Sequence, residues 1–227
     1  MRRALVLLIL LFPAVAVAST LSDLRAGVRS ILEEPNAVNF TDTEINRWIN
    51  DGQRVLCSML SDDVLYGVTS ETTQSVVVNQ REYVLPADFF RLVQCKVNGR
   101  YCDKVTLADL RAYDGDNTQK TSTTRSPAVY VFNGRFGVLP TPGSAQSAYE
   151  IELWYVREPD VLAADTNESA LPTETHELME LYGAWKGSVK DSLFEAKAAP
   201  LWAMFANRVQ AINAKYSGVH KSDPRPK

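Results

Sequence analysis

Few residues in this chain could do chemistry, and their spacing argues against most of it. His176-Glu177-Leu178-Met179-Glu180 echoes the helical zinc-protease pattern, in which two histidines four residues apart reach one metal. Position 180 is Glu, and the only other histidine, His220, lies near the C-terminus, so the second ligand is missing. His176 therefore reads as a surface residue in a first helical turn, among Glu174, Glu177 and Glu180, acids that suit the positive end of a helix dipole. Asp114-Gly115-Asp116-Asn117 resembles the start of a calcium loop but lacks the later ligands and the closing Glu. Asp62-Asp63 is shorter still, and both read as solvated turns. The chain has no Gly-x-Ser-x-Gly elbow, Walker loop or GxGxxG fingerprint. The sequence assigns no catalytic, cofactor-binding or metal-ligating residue and implies no cofactor. It points to a protein that assembles or binds.

The three cysteines are the remaining reactive groups. Cys57 falls at a helical core spacing and reads as a small buried hydrophobe. Cys95 and Cys102 flank Asn98-Gly99, the strongest short hairpin signal, since both turn residues tolerate positive φ. Counting outward pairs Val97 with Arg100, Lys96 with Tyr101, and Cys95 with Cys102. The third pair out is a hydrogen-bonded one with splayed side chains, so a Cys95–Cys102 disulfide is a strained candidate. It would need an oxidising compartment, and the N-terminus bears on that. Met1-Arg2-Arg3 is a short basic stretch, Ala4 to Val15 is apolar, and Ala16-Val17-Ala18 is a small-x-small cleavage site before Ser19. Residues 1–18 thus read as a secretory signal peptide, against the alternatives of an uncleaved anchor or a retained arm. No cysteine follows the apolar run, which argues against a lipoprotein anchor.

The elements that must position these residues follow from periodicity. A 227-residue chain with 45% hydrophobic and 22% charged residues can bury one substantial core. Its formal charge of −3 lacks the basic excess of a nucleic-acid binder. Thr20/Asp23 and Thr41/Glu44 have capping-box spacing and open two amphipathic helices. Short strands are expected at Val76–Val78, Tyr83–Leu85, Arg91–Val97, Tyr101–Val105, Val129–Phe132 and Phe136–Leu139, with a short helix opened by Thr106 and Asp109 and a second Asn-Gly turn at Asn133-Gly134. Tyr149–Val156 reads as a central strand, because both of its faces carry apolar residues. Helices resume from Thr173 to about Ser192 and from about Ala199 to Tyr216. The expected fold class is α+β, a helical bundle from both chain ends with an inserted antiparallel β module, a small sandwich or barrel. The boundaries are 1–18 for the signal-like segment and 19–70 for the N-terminal helices. The β module spans 71–159, with a mobile loop at 114–126. The C-terminal helices span 171–216, and 217–227 is a disordered tail. The tryptophans Trp48, Trp154, Trp185 and Trp202 sit at spacings suited to core or interface anchors.

The order of these segments resembles the tailed-phage head-to-tail adaptors, and the tail tubular A-type adaptor in particular. The resemblance runs through Leu21–Arg25, FTDTEINRWINDGQRVL at Phe40–Leu56 and REYVLPADFFRL at Arg81–Leu92. It continues through the VNGR hairpin, the TLADL helix, SPAVYVFNGRFGVLPTP at Ser126–Pro142, YEIELWYVREP at Tyr149–Pro159 and LPTETHELMELYGAW at Leu171–Trp185. No one of these is a signature; their order over nearly the whole mature chain carries the match. The resemblance implies a non-enzymatic virion subunit in a ring, a dodecamer, docked between the portal protein and a tail tube or nozzle protein. DNA would pass through the channel without sequence-specific binding. Interfaces would come from the helical bundle and the loop near Asp114 to Ser126. A virion location implies assembly in the host cytoplasm, whereas the signal-like segment implies a periplasmic or secreted protein of phage origin.

Overall fold

The computed structural model describes residues 18–34, 36–110 and 127–217. The signal-like segment up to residue 17, the loop at 114–126, the Asp114–Asn117 turn, His220 and the tail beyond residue 217 lie outside the described residues.

Local chemistry sets the helix starts. Helix α1 spans Leu21–Leu32, and Thr20 and Asp23 cap it reciprocally: the Asp23 N–H donates to Thr20 Oγ1 at 3.2 Å, and the Thr20 N–H to Asp23 Oδ2 at 3.0 Å. Helix α2, Asp42–Met59, carries the same box on Thr41 and Glu44. A 3-10 turn at Thr173–Thr175 leads into α3, His176–Lys190, and α4 spans Glu195–Ser217. Helix α4 thus begins a turn before the expected Ala199 and carries Pro200 inside it. Pro200 is the sixth residue of this helix, and with no N–H it cannot donate the helical bond to the Ala196 carbonyl.

Helix α3 is the hub, packed on α1, α2 and α4. Small residues permit that closeness: a side chain at Gly183 would strike Val28, and one at Gly187 would strike Leu32 and approach Trp48. Leu21, Leu24, Val28, Ile45, Ile49, Leu56, Met179 and Phe205 are buried in the resulting core, as is Cys57. Helices from both ends of the chain therefore share one core, in an α+β molecule.

The β strands form two four-stranded sheets. In chain order they are β1 (Thr69–Ser75), β2 (Glu82–Val84), β3 (Phe89–Val97), β4 (Arg100–Tyr101), β5 (Asp103–Lys104), β6 (Ala128–Phe132), β7 (Arg135–Leu139) and β8 (Glu150–Arg157). One sheet runs β1-β8-β3-β4 and the other β2-β7-β6-β5. Tyr83, Val129, Phe136 and Val138 of the second sheet share a core with Cys95, Val97, Ile151, Leu153 and Tyr155 of the first, which makes a sandwich. Strand β8 is interior, as both of its apolar faces require: Ile151, Leu153 and Tyr155 enter the sandwich core, and Val156 enters the helical core. Register shifts in β3 let Phe90 and Val93 turn toward the helices while Phe89 and Leu92 pack in the sandwich.

Two strand expectations are corrected. The first strand lies at Thr69–Ser75 and ends before Val76–Val78. Its sequence, TSETTQS, has no apolar alternation because it pairs at the sheet edge with β8 and is never buried on both faces. The expected strand at Tyr101–Val105 is split at Cys102. Strand β4 stays in the hairpin, while β5 crosses to the other sheet and pairs with β6 in parallel, so the module is not wholly antiparallel.

Candidate interaction surface

Side chains at the turn after β3 lie where pair counting puts them. Lys96 pairs with Tyr101 and Val97 with Arg100, and the Cys102 N–H donates to Cys95 O at 2.9 Å. The thiols of Cys95 and Cys102 are both free and buried, with their sulfurs 3.5 Å apart. The hydrogen bond to Cys95, with burial, pushes the Cys102 thiol far up from its usual range.

His176 departs from expectation: it is 3% exposed rather than on the surface. Its Nδ1 accepts the Ser19 N–H at 3.1 Å, and Nε2 donates to Leu171 O at 3.0 Å. Burial holds it below the ordinary histidine range, against the pull of the Leu171 carbonyl and Glu168. The reason is tertiary, since its first bond crosses 157 positions of sequence. Glu180, one turn on, lies against Gly27 of α1, and burial followed by the charges of Glu177 and Asp23 raises its carboxyl to about 7. Among the described residues no cluster of three or more His, Cys, Asp or Glu could hold a metal, and no helix is long and apolar enough to cross a membrane.

The surface offers side chains suited to contact. Helix α4 packs on α3 and touches a 3-10 turn at Val64–Val68, and among the described residues no other element packs extensively on it. Along it and the α3–α4 turn, Val189, Leu193, Trp202 and Met204 are exposed, with Leu193 at 78%. Trp202 is held in place by Trp185, their rings 4.8 Å apart, and by Phe205. A second apolar set lies on the β2-β7-β6-β5 sheet, where Val84, Arg135 and Phe132 form a cross-strand row with Val84 and Phe132 exposed. The other sheet presents Lys96 between two rings, 4.6 Å from the centroid of Trp154 and 4.8 Å from that of Tyr101, with Glu152 at 3.8 Å. Lys96, Tyr101 and Trp154 line a groove of about 950 Å³ with Asp62, Asp63 and Tyr66. Asp62, expected in a solvated turn, also pairs with Arg91 at 2.9 Å.

The sequence reads the tryptophans as core or interface anchors, and it marks neither Lys96 between its rings nor Glu34, whose Oε1 accepts the Val38, Asn39 and Phe40 N–H groups after α1. Neither follows a repeating pattern; each depends on neighbours set by register or loop closure.

No curated protein matches the chain. The family model described as SU10 adaptor protein matches residues 19–223, which covers both helical ends and the β sandwich. The chain belongs to that family, and with it to the phage head–tail adaptors.

Proposed function

We propose that this adaptor is a non-enzymatic virion subunit that assembles into a ring, a dodecamer, and joins the portal to the tail tube or nozzle. DNA crosses the channel without sequence-specific contacts. The observation that carries the reading is the family match over residues 19–223. The mildly acidic balance supports it, because a channel must let phosphates slide rather than hold them. A closed ring needs two unlike surfaces that fit each other. The open side of α3–α4 and the Val84–Arg135–Phe132 row supply two such surfaces, and we place one against the other between neighbours. Purified protein mixed with portal rings tests the reading. Capped portal rings in micrographs are expected; a chain that stays monomeric with portal present, and caps nothing, overturns it.

A second reading has its own support in the signal-like residues 1–18: an exported periplasmic or surface module of phage origin. In that compartment Cys95 and Cys102 would close to a disulfide, passing two electrons and two protons to a thiol oxidase. Fractionation separates the readings: co-purification with portal favours the first, and recovery from the periplasm with a mass two hydrogens lighter favours the second.

A further inference from the structure

The groove that holds Lys96 begins beside the point where the end of α4 is pinned to the rest of the molecule. Asn213 of α4 accepts the Ser61 N–H on Oδ1 at 2.8 Å and donates from Nδ2 to Met59 O at 2.9 Å. Ser61 directly precedes Asp62 and Asp63, which line the groove with Tyr66, Lys96, Tyr101 and Trp154. Helix α4 ends at Ser217, about 6 Å along its axis from Asn213. The sequence that follows is GVHKSDPRPK, residues 218–227. At about 3.1 Å per extended residue, Lys221 can lie about 12 Å from Ser217 and Lys227 about 30 Å, so this segment can span the groove.

The two also match in chemistry. Tyr66 and Tyr101 are 83% and 62% exposed, so two large rings at the groove stand in water. Pro224-Arg225-Pro226 favours the extended left-handed conformation that aromatic-lined grooves accept at small entropic cost. Asp62, Asp63 and Glu152 outnumber Arg91 and Lys96, so the charged groups named at the groove sum to a negative charge. In the segment, Lys221, Arg225 and Lys227 outnumber Asp223. The Lys96 ammonium between Tyr101 and Trp154 shows that rings at this groove accept a cation.

We propose that this groove is a docking site for residues 221–227 of the same chain, with the prolines against the tyrosine rings and the cations toward Asp62 and Asp63. Docking covers the two exposed rings and ties the far end of α4 to the β sandwich. The same chain is favoured over a neighbour's because the Asn213 pin holds the start of the segment beside Asp62 at a high effective concentration. The inference does not rest on the ring reading.

The test uses the full chain, treated with a water-soluble carbodiimide, which joins a lysine amine to a carboxylate as an amide with loss of one water. Peptide mass spectrometry of the monomer should find Lys221 or Lys227 joined to Asp62 or Asp63. A segment merely tethered nearby would couple as well without its prolines, so Pro224→Gly with Pro226→Gly should lower the yield several-fold. Tyr66→Ser with Tyr101→Ser should do the same, and both tyrosines are exposed. The proline variant lies outside the folded core, so its result holds whatever the tyrosines do for stability. Yields unchanged by the proline variant, or links spread evenly over the acidic surface, overturn the proposal. Links formed only between chains overturn it as well and give the groove to a neighbour's segment. Portal capping is read in a separate assay, so the two ideas fail separately.

Discussion

Glu180 shows how one half-buried group can tilt the stability of the molecule with pH. Burial comes first among the causes that raise its carboxyl to about 7, then Glu177 and Asp23. The ordinary value is 4.5, so the folded state prefers the neutral acid. Its contribution is therefore full below pH 4.5, declines as pH rises through about 7, and is flat beyond. Glu180→Gln keeps the shape and removes the charge. After discounting for solvent access, the variant should be about 1 kcal/mol more stable than the parent at pH 8 and no more stable at pH 4. Urea denaturation at the two pH values reads this, and a parent that wins at pH 8 refutes the account from burial and neighbouring charge. His176 has the opposite sign: its folded value is depressed, so its contribution is lost as pH falls below the ordinary histidine range. The thiols give a second check at this scale. All three are buried, and burial lifts Cys57 to about 11. Native reduced protein should resist maleimide, while the denatured chain should take up three equivalents. Rapid labelling of the native state would contradict the packing.

At the scale of elements, the turn between α1 and α2 is shaped by one carboxylate. Glu34 Oε1 accepts the backbone N–H groups of Val38, Asn39 and Phe40, and Arg29 donates to Phe40 O at 3.0 Å and to Asp42 at 2.7 Å. Both side chains are buried. Glu34→Ala strips three donors of their acceptor and leaves Arg29 with less compensation, so a loss of about 2–4 kcal/mol is expected. Glu34→Gln, which keeps an acceptor oxygen, should recover part of it. Thermal melts of the two variants decide, and equal melting of Glu34→Ala and the parent would sink the account. No sequence pattern marks Glu34, because a carboxylate at a helix end usually faces water. The caps at Thr20 and Thr41 were legible for the opposite reason: donor and acceptor lie three residues apart. The same contrast explains the strands. Both faces of β8 are apolar and visible in the sequence, whereas β1 has only polar and β-branched residues and is held by its partner. The switch of β5 to a parallel pairing is a matter of topology, which local pattern does not carry.

At the scale of the whole molecule, the sequence order of helices, strands and helices was enough for the fold class, because each end alone lacks a partner for its apolar stripe. The surfaces were less legible, since an exposed Leu193 or Phe132 reads like a core residue until the neighbours are placed. Heterologous closure makes a demanding prediction about those surfaces. Leu193→Glu with Met204→Glu charges the open side of α3–α4, and Val84→Glu with Phe132→Glu charges the sheet row. All four positions are exposed, so both variants should fold, with melting temperatures close to that of the parent. Each alone should fail to cap portal rings, because every contact in the ring needs one surface of each kind. Mixed together, the two variants still offer one intact pair: the helical surface of the sheet variant and the sheet row of the helix variant. The mixture should therefore give dimers and stop there, as mass photometry would show. Rings from either variant alone would place the interface elsewhere, and a mixture with no dimers would show that these two surfaces are not partners.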